Sequence, residues 1–410
     1  MKYVIIGNGV AGIHAAEAIR HLDAEGRLTL IGDETFPPYC RPMISMVLEG
    51  ATPPERLPIR STDFYRRLGI TPILGRRVSG IDVEARVVRL PGLEDGIPFD
   101  RLLIASGADP RPITADGLHL AHIFYMRTER HVREMLDAIP TVKTALVLGG
   151  GLVGFKAAYG LLRRGIRVTQ LIRSAYPLSM QVDRTAGEMI LNELVRKGLD
   201  VRVGLSAAAF HGNGRVEGAR LSDGSEIACD MVVIGKGVLP ALSFVPRDRI
   251  DVDLGILVNA HMETSVPGIY AAGDAAEFVD IARKTRWVNA IWPEAVAQGR
   301  AAGMNMAGRP VALKGSLSRN VIRIFDMDVM TGGWVDPPES AGFEILSRHD
   351  RRRKTYRKLV LDGRRLVGMA MVNDIAQGGL LISLIQNEVP LRISGNALLS
   401  SGFNYRQLLN

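Results

Sequence analysis

The chain has 410 residues, 47% hydrophobic and 23% charged, with a formal net charge of +8; the length makes room for two or three domains and the composition is globular. No stretch reaches the roughly 18 consecutive apolar residues of a membrane span, and the opening MKYVIIGNG has no signal-peptide anatomy, so a cytoplasmic protein with no membrane span is expected. Its two cysteines, Cys40 and Cys229, lie far apart and exclude a CxxC redox pair, a Cys-rich zinc site and an iron–sulfur cluster held by this chain alone; the histidines show no metal-ligand spacing, and no metal site is expected.

Tyr3 to Ile6 is a short apolar run read as a strand, GNGVAG follows with Gly7, Gly9 and Gly12, and Ile13 to about His21 reads as a helix. In such a turn the first glycine permits the tight bend, the second lets a pyrophosphate reach the backbone, and the third lets helix and strand pack closely, with the helix N-terminus facing the phosphates. A second strand, Leu28 to Ile31, ends in Gly32, Asp33 and Glu34, where an acid would bind the adenosine ribose hydroxyls; Asp33 is preferred, with Glu34 close behind. The arrangement recurs with strand Ala145 to Leu148, the turn GGGLVG with Gly149, Gly151 and Gly154, helix Phe155 to Arg164 and strand Val168 to Ile172. A lone glycine turn is weak evidence, but two with correct flanks in one chain imply two dinucleotides and transfer between them.

Further on, YRKLVLDGRRLVGMAMVND reads as a hairpin turning through Asp362-Gly363. The densest basic run, Arg348 to Lys358, is read as a solvated strand or hairpin face, with docking of an acidic electron-transfer partner as the alternative. The remaining arginines are scattered without an aromatic-studded basic motif, so no nucleic-acid partner is expected.

Several segments resemble the two-dinucleotide flavoprotein superfamily of pyridine nucleotide–disulfide reductases, on the branch of rubredoxin reductases and the flavin part of nitrite reductases. FDRLLIASGADPRP is similar to the crossing between the FAD and NAD domains, with Ala105, Ser106 and Gly107 in place of Ala-Thr-Gly. VNAHMETSVPGIYAAGDAAE resembles the second FAD motif, in which Gly273 and Asp274 would meet the ribityl chain. FPPYCRPMIS resembles the segment whose arginine, here Arg41, approaches the FAD phosphates, and NAIWPEAVAQGRAAGMNMAG resembles the helix beside the flavin, with Trp292 at its start and Pro293 in its first turn. The resemblance implies an α/β fold of two Rossmann-like domains plus a small α+β C-terminal domain. The FAD domain is discontinuous, at 1–115 and 240–312; the NAD(P) domain is inserted at 116–239, and a C-terminal interface domain follows at 313–410. In many relatives that last domain forms a dimer interface, so an oligomer is expected.

Departures from the family pattern narrow the chemistry. The redox cysteine pair of disulfide reductases is missing; Cys40 lies two places before the position of the oxidase cysteine, which Pro42 occupies, so both Cys40 and Cys229 are read as structural. Where rubredoxin reductases carry a Lys and a Glu that pair near the flavin and nicotinamide, this chain has Met46 and Lys156. If both face the flavin, a single positive charge favours an anionic reduced flavin and raises its potential; otherwise Lys156 swings outward. The acid that ends the second strand of NAD-selecting domains is Ile172 here, followed by Arg173, which leaves NAD and NADP both open.

The resemblance therefore implies an FAD-dependent oxidoreductase that moves a hydride between NAD(P) and flavin N5 and exchanges electrons with an iron–sulfur protein or subunit. The pattern is also similar to FAD/NAD subunits associated with tungsten aldehyde oxidoreductase complexes. The alternatives are a stand-alone NAD(P)H oxidase or quinone reductase, and a flavin-bound interaction protein without turnover.

Overall fold

Two parallel sheets, one behind each glycine turn, and an antiparallel sheet near the C-terminus organise the chain. In the computed structural model, which describes residues 1–400, 402, 403 and 405–408, the strands of these sheets are β1 (Lys2–Ile6), β2 (Arg27–Gly32), β3 (Ile70–Leu74), β4 (Arg101–Ile104), β5 (Ile123–Tyr125), β6 (Thr144–Leu148), β7 (Arg167–Ile172), β8 (Asp200–Val203), β9 (Met231–Ile234), β10 (Ile269–Ala271), β11 (Arg319–Ile324), β12 (Met327–Gly333), β13 (Glu344–Asp350), β14 (Thr355–Asp362) and β15 (Arg365–Val372). Helices used below are α1 (Val10–Leu22), α2 (Ile44–Glu49), α3 (Leu152–Arg163), α4 (Arg184–Arg196), α5 (Trp292–Met306) and α6 (Gly378–Gln386). The chain divides into two units: Met1–Cys40, Glu55–Asp109 and Leu239–Ser318 form the first, and Arg41–Pro54, Pro110–Val238 and Arg319–Asn410 the second.

In the first unit the strand order is β10-β4-β1-β2-β3. The pairings are parallel and the strands read as near-continuous apolar runs because both faces are covered: Val4, Ile5, Leu28, Leu30 and Leu102 to Ile104 are all buried. α1 begins at Val10, three residues before the expected Ile13, since its first turn is the glycine turn itself. α5 crosses α1 at backbone contact: a Cβ on Gly299 would lie 2.2 Å from the Ala11 carbonyl oxygen, and one on Gly303 would lie 2.4 Å from that of Ala15. Only glycine at both places lets the helices approach so closely.

The second unit repeats the plan in the order β8-β7-β6-β9-β5, again parallel. Segment Arg41–Pro54 belongs here because α2 rests on α3: a Cβ on Gly160 would lie 3.1 Å from the Leu48 side chain, and the Arg164 guanidinium donates to the carbonyls of Leu48 (2.8 Å) and Val47 (3.1 Å), satisfying the C-terminal end of α2. In each parallel sheet the strand before the glycine turn, β1 or β6, sits where the strand order reverses. That is the place at which open α/β sheets bind ligands, at the carboxyl ends of the strands.

The C-terminal sheet is antiparallel in the order β11-β12-β15-β14-β13. The expected hairpin forms between β14 and β15, but Asp362 pairs with Arg365, so the two-residue loop is Gly363-Arg364, with Gly363 at φ +57°. The reading of Arg348 to Lys358 as a solvated face needs correction. Arg348, Arg351, Arg352, Arg353 and Lys354 are exposed, whereas Tyr356, Arg357 and Lys358 are buried because β14 lies inside the sheet and is covered on both faces. The Tyr356 hydroxyl donates to Asp183 at 2.6 Å, and Lys358 meets Asp336 at 2.8 Å and Asp183 at 3.5 Å. Arg357, on the opposite face, meets Asp374 at 3.0 Å and Gln377 at 2.9 Å.

Candidate functional site

The first unit supplies an anion cradle built from β1 and α1. Gly7 has φ +124°, and a Cβ there would lie 2.0 Å from the Ala105 carbonyl oxygen; one on Gly12 would lie 2.0 Å from that of Gly7. Both are held at glycine by contact. Gly9 is different: its φ is −85°, no heavy atom lies within 4 Å of its would-be Cβ, and as N-cap of α1 it offers no side-chain cap. The helix thus presents its first-turn N–H groups to open space, with the positive end of its dipole, and this fits a dinucleotide pyrophosphate.

The remaining first-unit residues gather round that cradle. Ala105 follows β4 and donates its N–H to Ile6 at 2.7 Å; the Ser106 hydroxyl donates to the Ala241 carbonyl at 2.9 Å, and the Gly107 carbonyl accepts from Ala241 N–H at 3.0 Å, so the outgoing and returning segments are tied together. Gly273, at φ +74°, donates to Gln298 Oε1 at 2.9 Å, and its would-be Cβ is 3.2 Å from that of Ala11 and 3.5 Å from that of Ala295. Asp274 is therefore placed beside the starts of α1 and α5, and Trp292 opens α5 with Pro293 in its first turn. Just past β2, Asp33 is exposed, while Glu34 accepts the Tyr39 hydroxyl at 2.9 Å. Arg41 falls in the second unit, where its guanidinium donates to the Arg127 carbonyl at 2.8 Å.

The second cradle has the same geometry. A Cβ on Gly149 (φ +121°) would lie 2.3 Å from the Gly235 carbonyl oxygen, and one on Gly154 would lie 2.2 Å from that of Gly149. Gly151, the N-cap of α3, again has open space at its would-be Cβ and no side-chain cap. Arg173 is exposed just past β7, where Ile172 replaces an acid. Lys236 follows β9; burial and the Arg173 charge together hold its ammonium below the usual lysine range. This half-buried cation was invisible in the sequence because only the sheet order sets β7 and β9 on either side of β6, with their carboxyl ends at the same end of the sheet. Lys156 is part-buried on α3, and Met46 is exposed on α2.

The two cysteines form no disulfide with one another. Cys229 is buried, and desolvation, aided by the Asp230 charge, pushes its thiol up to about 12, so it stays protonated and packs as a small apolar side chain.

Residues 1–299 match the model of the pyridine nucleotide-disulphide oxidoreductase family, and residues 319–389 match that of the rubredoxin NAD+ reductase C-terminal domain. The chain is 30% identical over 392 residues to a Bacillus subtilis nitrite reductase [NAD(P)H], covering 95% of this chain but 48% of that enzyme, so it spans about half the length of that relative. It is 29% identical to subunit epsilon of the NADH-dependent phenylglyoxylate dehydrogenase of Aromatoleum evansii, covering 95% of this chain and 92% of the subunit. The structure of a putidaredoxin reductase in covalent complex with putidaredoxin superposes with a TM-score of 0.89 at 24% identity, covering 100% of this chain and 98% of that one, a likeness of fold. With two dinucleotide cradles in sequence and in space, the chain belongs to the pyridine nucleotide-disulphide oxidoreductase family, whose members combine FAD with NAD or NADP.

Proposed function

We propose that this chain is the flavin-bearing NAD(P)H reductase of an electron-transfer system, exchanging electrons with an iron–sulfur protein or subunit. The observation that carries the reading is the pair of uncapped helix N-termini, α1 behind Gly9 and α3 behind Gly151, each open to a phosphate group. In this reading Gly7, Gly9, Gly12, Ala105, Gly107, Gly273, Asp274 and Trp292 hold FAD, with Asp33 on the ribose in preference to Glu34, which Tyr39 already engages. Arg41 serves the FAD phosphates. Gly149, Gly151 and Gly154 hold the nicotinamide dinucleotide, and Lys156 tunes the flavin and nicotinamide electrostatically.

FAD, when held by these residues, would supply two-electron chemistry towards a nicotinamide and one-electron chemistry towards an iron–sulfur centre. The chain's own residues position and tune. Ile172 removes the acid that repels a 2′-phosphate, while Arg173 and Lys236 place two cations at the strand ends. These support NADP(H) as the preferred nucleotide. An acceptor in another chain is supported by the lack of a disulfide between Cys40 and Cys229, the latter a buried protonated thiol, by the match to a rubredoxin reductase C-terminal domain, and by the near full-length likeness to a dehydrogenase subunit. The more specific form of this reading is a subunit through which an aldehyde oxidoreductase complex reduces NAD(P)+.

The test is to mix the FAD-loaded chain anaerobically with NADPH and separately with NADH, follow flavin bleaching by stopped flow, then admit air. Rapid bleaching, faster with NADPH, followed by slow reoxidation supports a reductase that awaits a protein partner. Rapid reoxidation would make it an oxidase, and no bleaching with either nucleotide would end the reading.

A further inference from the structure

Gln170 lies fully buried in β7, and its side-chain amide donates from Nε2 to the Gly149 carbonyl at 2.8 Å. Its other end, Oε1, is buried with no hydrogen-bond partner. Reversing the amide would set oxygen against carbonyl oxygen, so the donor orientation holds. The first unit has no such device: Gln170 pairs with Val147, two residues before Gly149, and the corresponding partner of Ile5, two residues before Gly7, is the equally buried Leu30. An apolar side chain therefore fills this place elsewhere in the same molecule, without the penalty that an orphaned buried carbonyl carries.

The amide's contribution lies in the turn. Gly149 sits at φ +121°; its N–H donates to the Leu171 carbonyl at 2.9 Å, and Gln170 ties its carbonyl inward. The neighbouring Gly150 carbonyl is also tied inward, by Leu178 N–H at 2.7 Å, from a buried leucine held at φ +56°. With both carbonyls turned to the interior, the amides at the start of α3 are left to face the open space over Gly151. We infer that Gln170 is a positioning residue for the second nucleotide turn, setting its affinity for the pyrophosphate of the nicotinamide dinucleotide. The inference rests on the reading that this turn holds NAD(P).

The experiment compares Gln170→Leu and Gln170→Met with the parent, the methionine keeping the length of the side chain where leucine leaves a gap. Each is purified with FAD and examined by thermal melting, visible flavin spectrum and the NADPH dependence of anaerobic bleaching. The expected result is an apparent dissociation constant for NADPH raised about 3- to 10-fold, the size of one lost hydrogen bond. The limiting bleaching rate, the flavin spectrum and the melting temperature should be held, the last held or raised because the orphaned carbonyl is gone. An unchanged dissociation constant in a folded variant overturns the inference. So does a fall in melting temperature with nucleotide affinity intact, which would make Gln170 a packing residue. A parent whose flavin neither nucleotide bleaches removes the proposed function and this inference together, an outcome distinct from a variant that bleaches with unaltered affinity.

Discussion

Gly151→Ala separates binding from folding at the second cradle. Its backbone has φ −83° and no heavy atom lies within 4 Å of the new methyl, so the fold accepts the change. The cost to stability is the poorer N-cap preference of alanine, about 0.5–1 kcal/mol, or a few degrees in melting temperature. The methyl nevertheless occupies the space where a phosphate must approach the α3 amides. Losing one charge-assisted hydrogen bond, worth about 1.5–3 kcal/mol, raises KM for the nicotinamide dinucleotide about 10- to 100-fold. Gly154→Ala is the internal contrast. Its methyl would lie 2.2 Å from the Gly149 carbonyl oxygen, so α3 must move away from β6 by roughly 1 Å, and overpacking of this kind costs about 1–3 kcal/mol. Steady-state kinetics with thermal melting of both variants decide the matter. Parental KM in folded Gly151→Ala, or equal stability of the two variants, would refute the assignment of the turn.

Other outcomes are expected of this chain. Arg173→Ala should raise KM for NADPH about tenfold more than for NADH, since it removes a cation beside the Ile172 strand end, and equal losses would exclude a phosphate contact. Lys156→Glu should lower the flavin midpoint potential measured by dye equilibration, because it replaces a positive charge by a negative one; an unchanged potential places Lys156 away from the flavin. Lys358→Met strips the buried cation from Asp183 and Asp336 and should destabilise the second unit by about 3 kcal/mol in urea unfolding. Burial raises the Cys229 thiol from 9.0 to about 12, so the folded chain should resist iodoacetamide there at pH 8. The stability contributed by the protonated thiol is full below pH 9 and is lost as pH rises from 9 towards 12; Cys229→Ala should flatten that limb of the pH–stability curve.

Much of this protein was legible along the chain. The two strand–glycine–helix units are local: Gly7, Gly9 and Gly12, and again Gly149, Gly151 and Gly154, act through φ angles and contacts within a few residues or with the adjacent strand, so their spacing announces them. Burial on both faces of a parallel sheet made the strands apolar runs, which is why β1 and β6 could be placed within a residue. What escaped was non-local. Arg357 and Lys358 sit in a basic run whose composition says solvent, yet the position of β14 inside its sheet buries them and supplies Asp183, Asp336 and Asp374 from elsewhere in the chain. Gln170 and Gln298 look like incidental polar residues in a strand and a helix until the turns they hold, at Gly149 and Gly273, are brought against them. The sequence by itself determined which dinucleotide chemistry the chain is built for, because that is written in short-range backbone requirements. Only the tertiary structure decided which buried polar groups bond to the turns and which cation, Arg173, bears electrostatically on Lys236, because hydrogen bonds and charge act in space between residues that lie far apart in the chain.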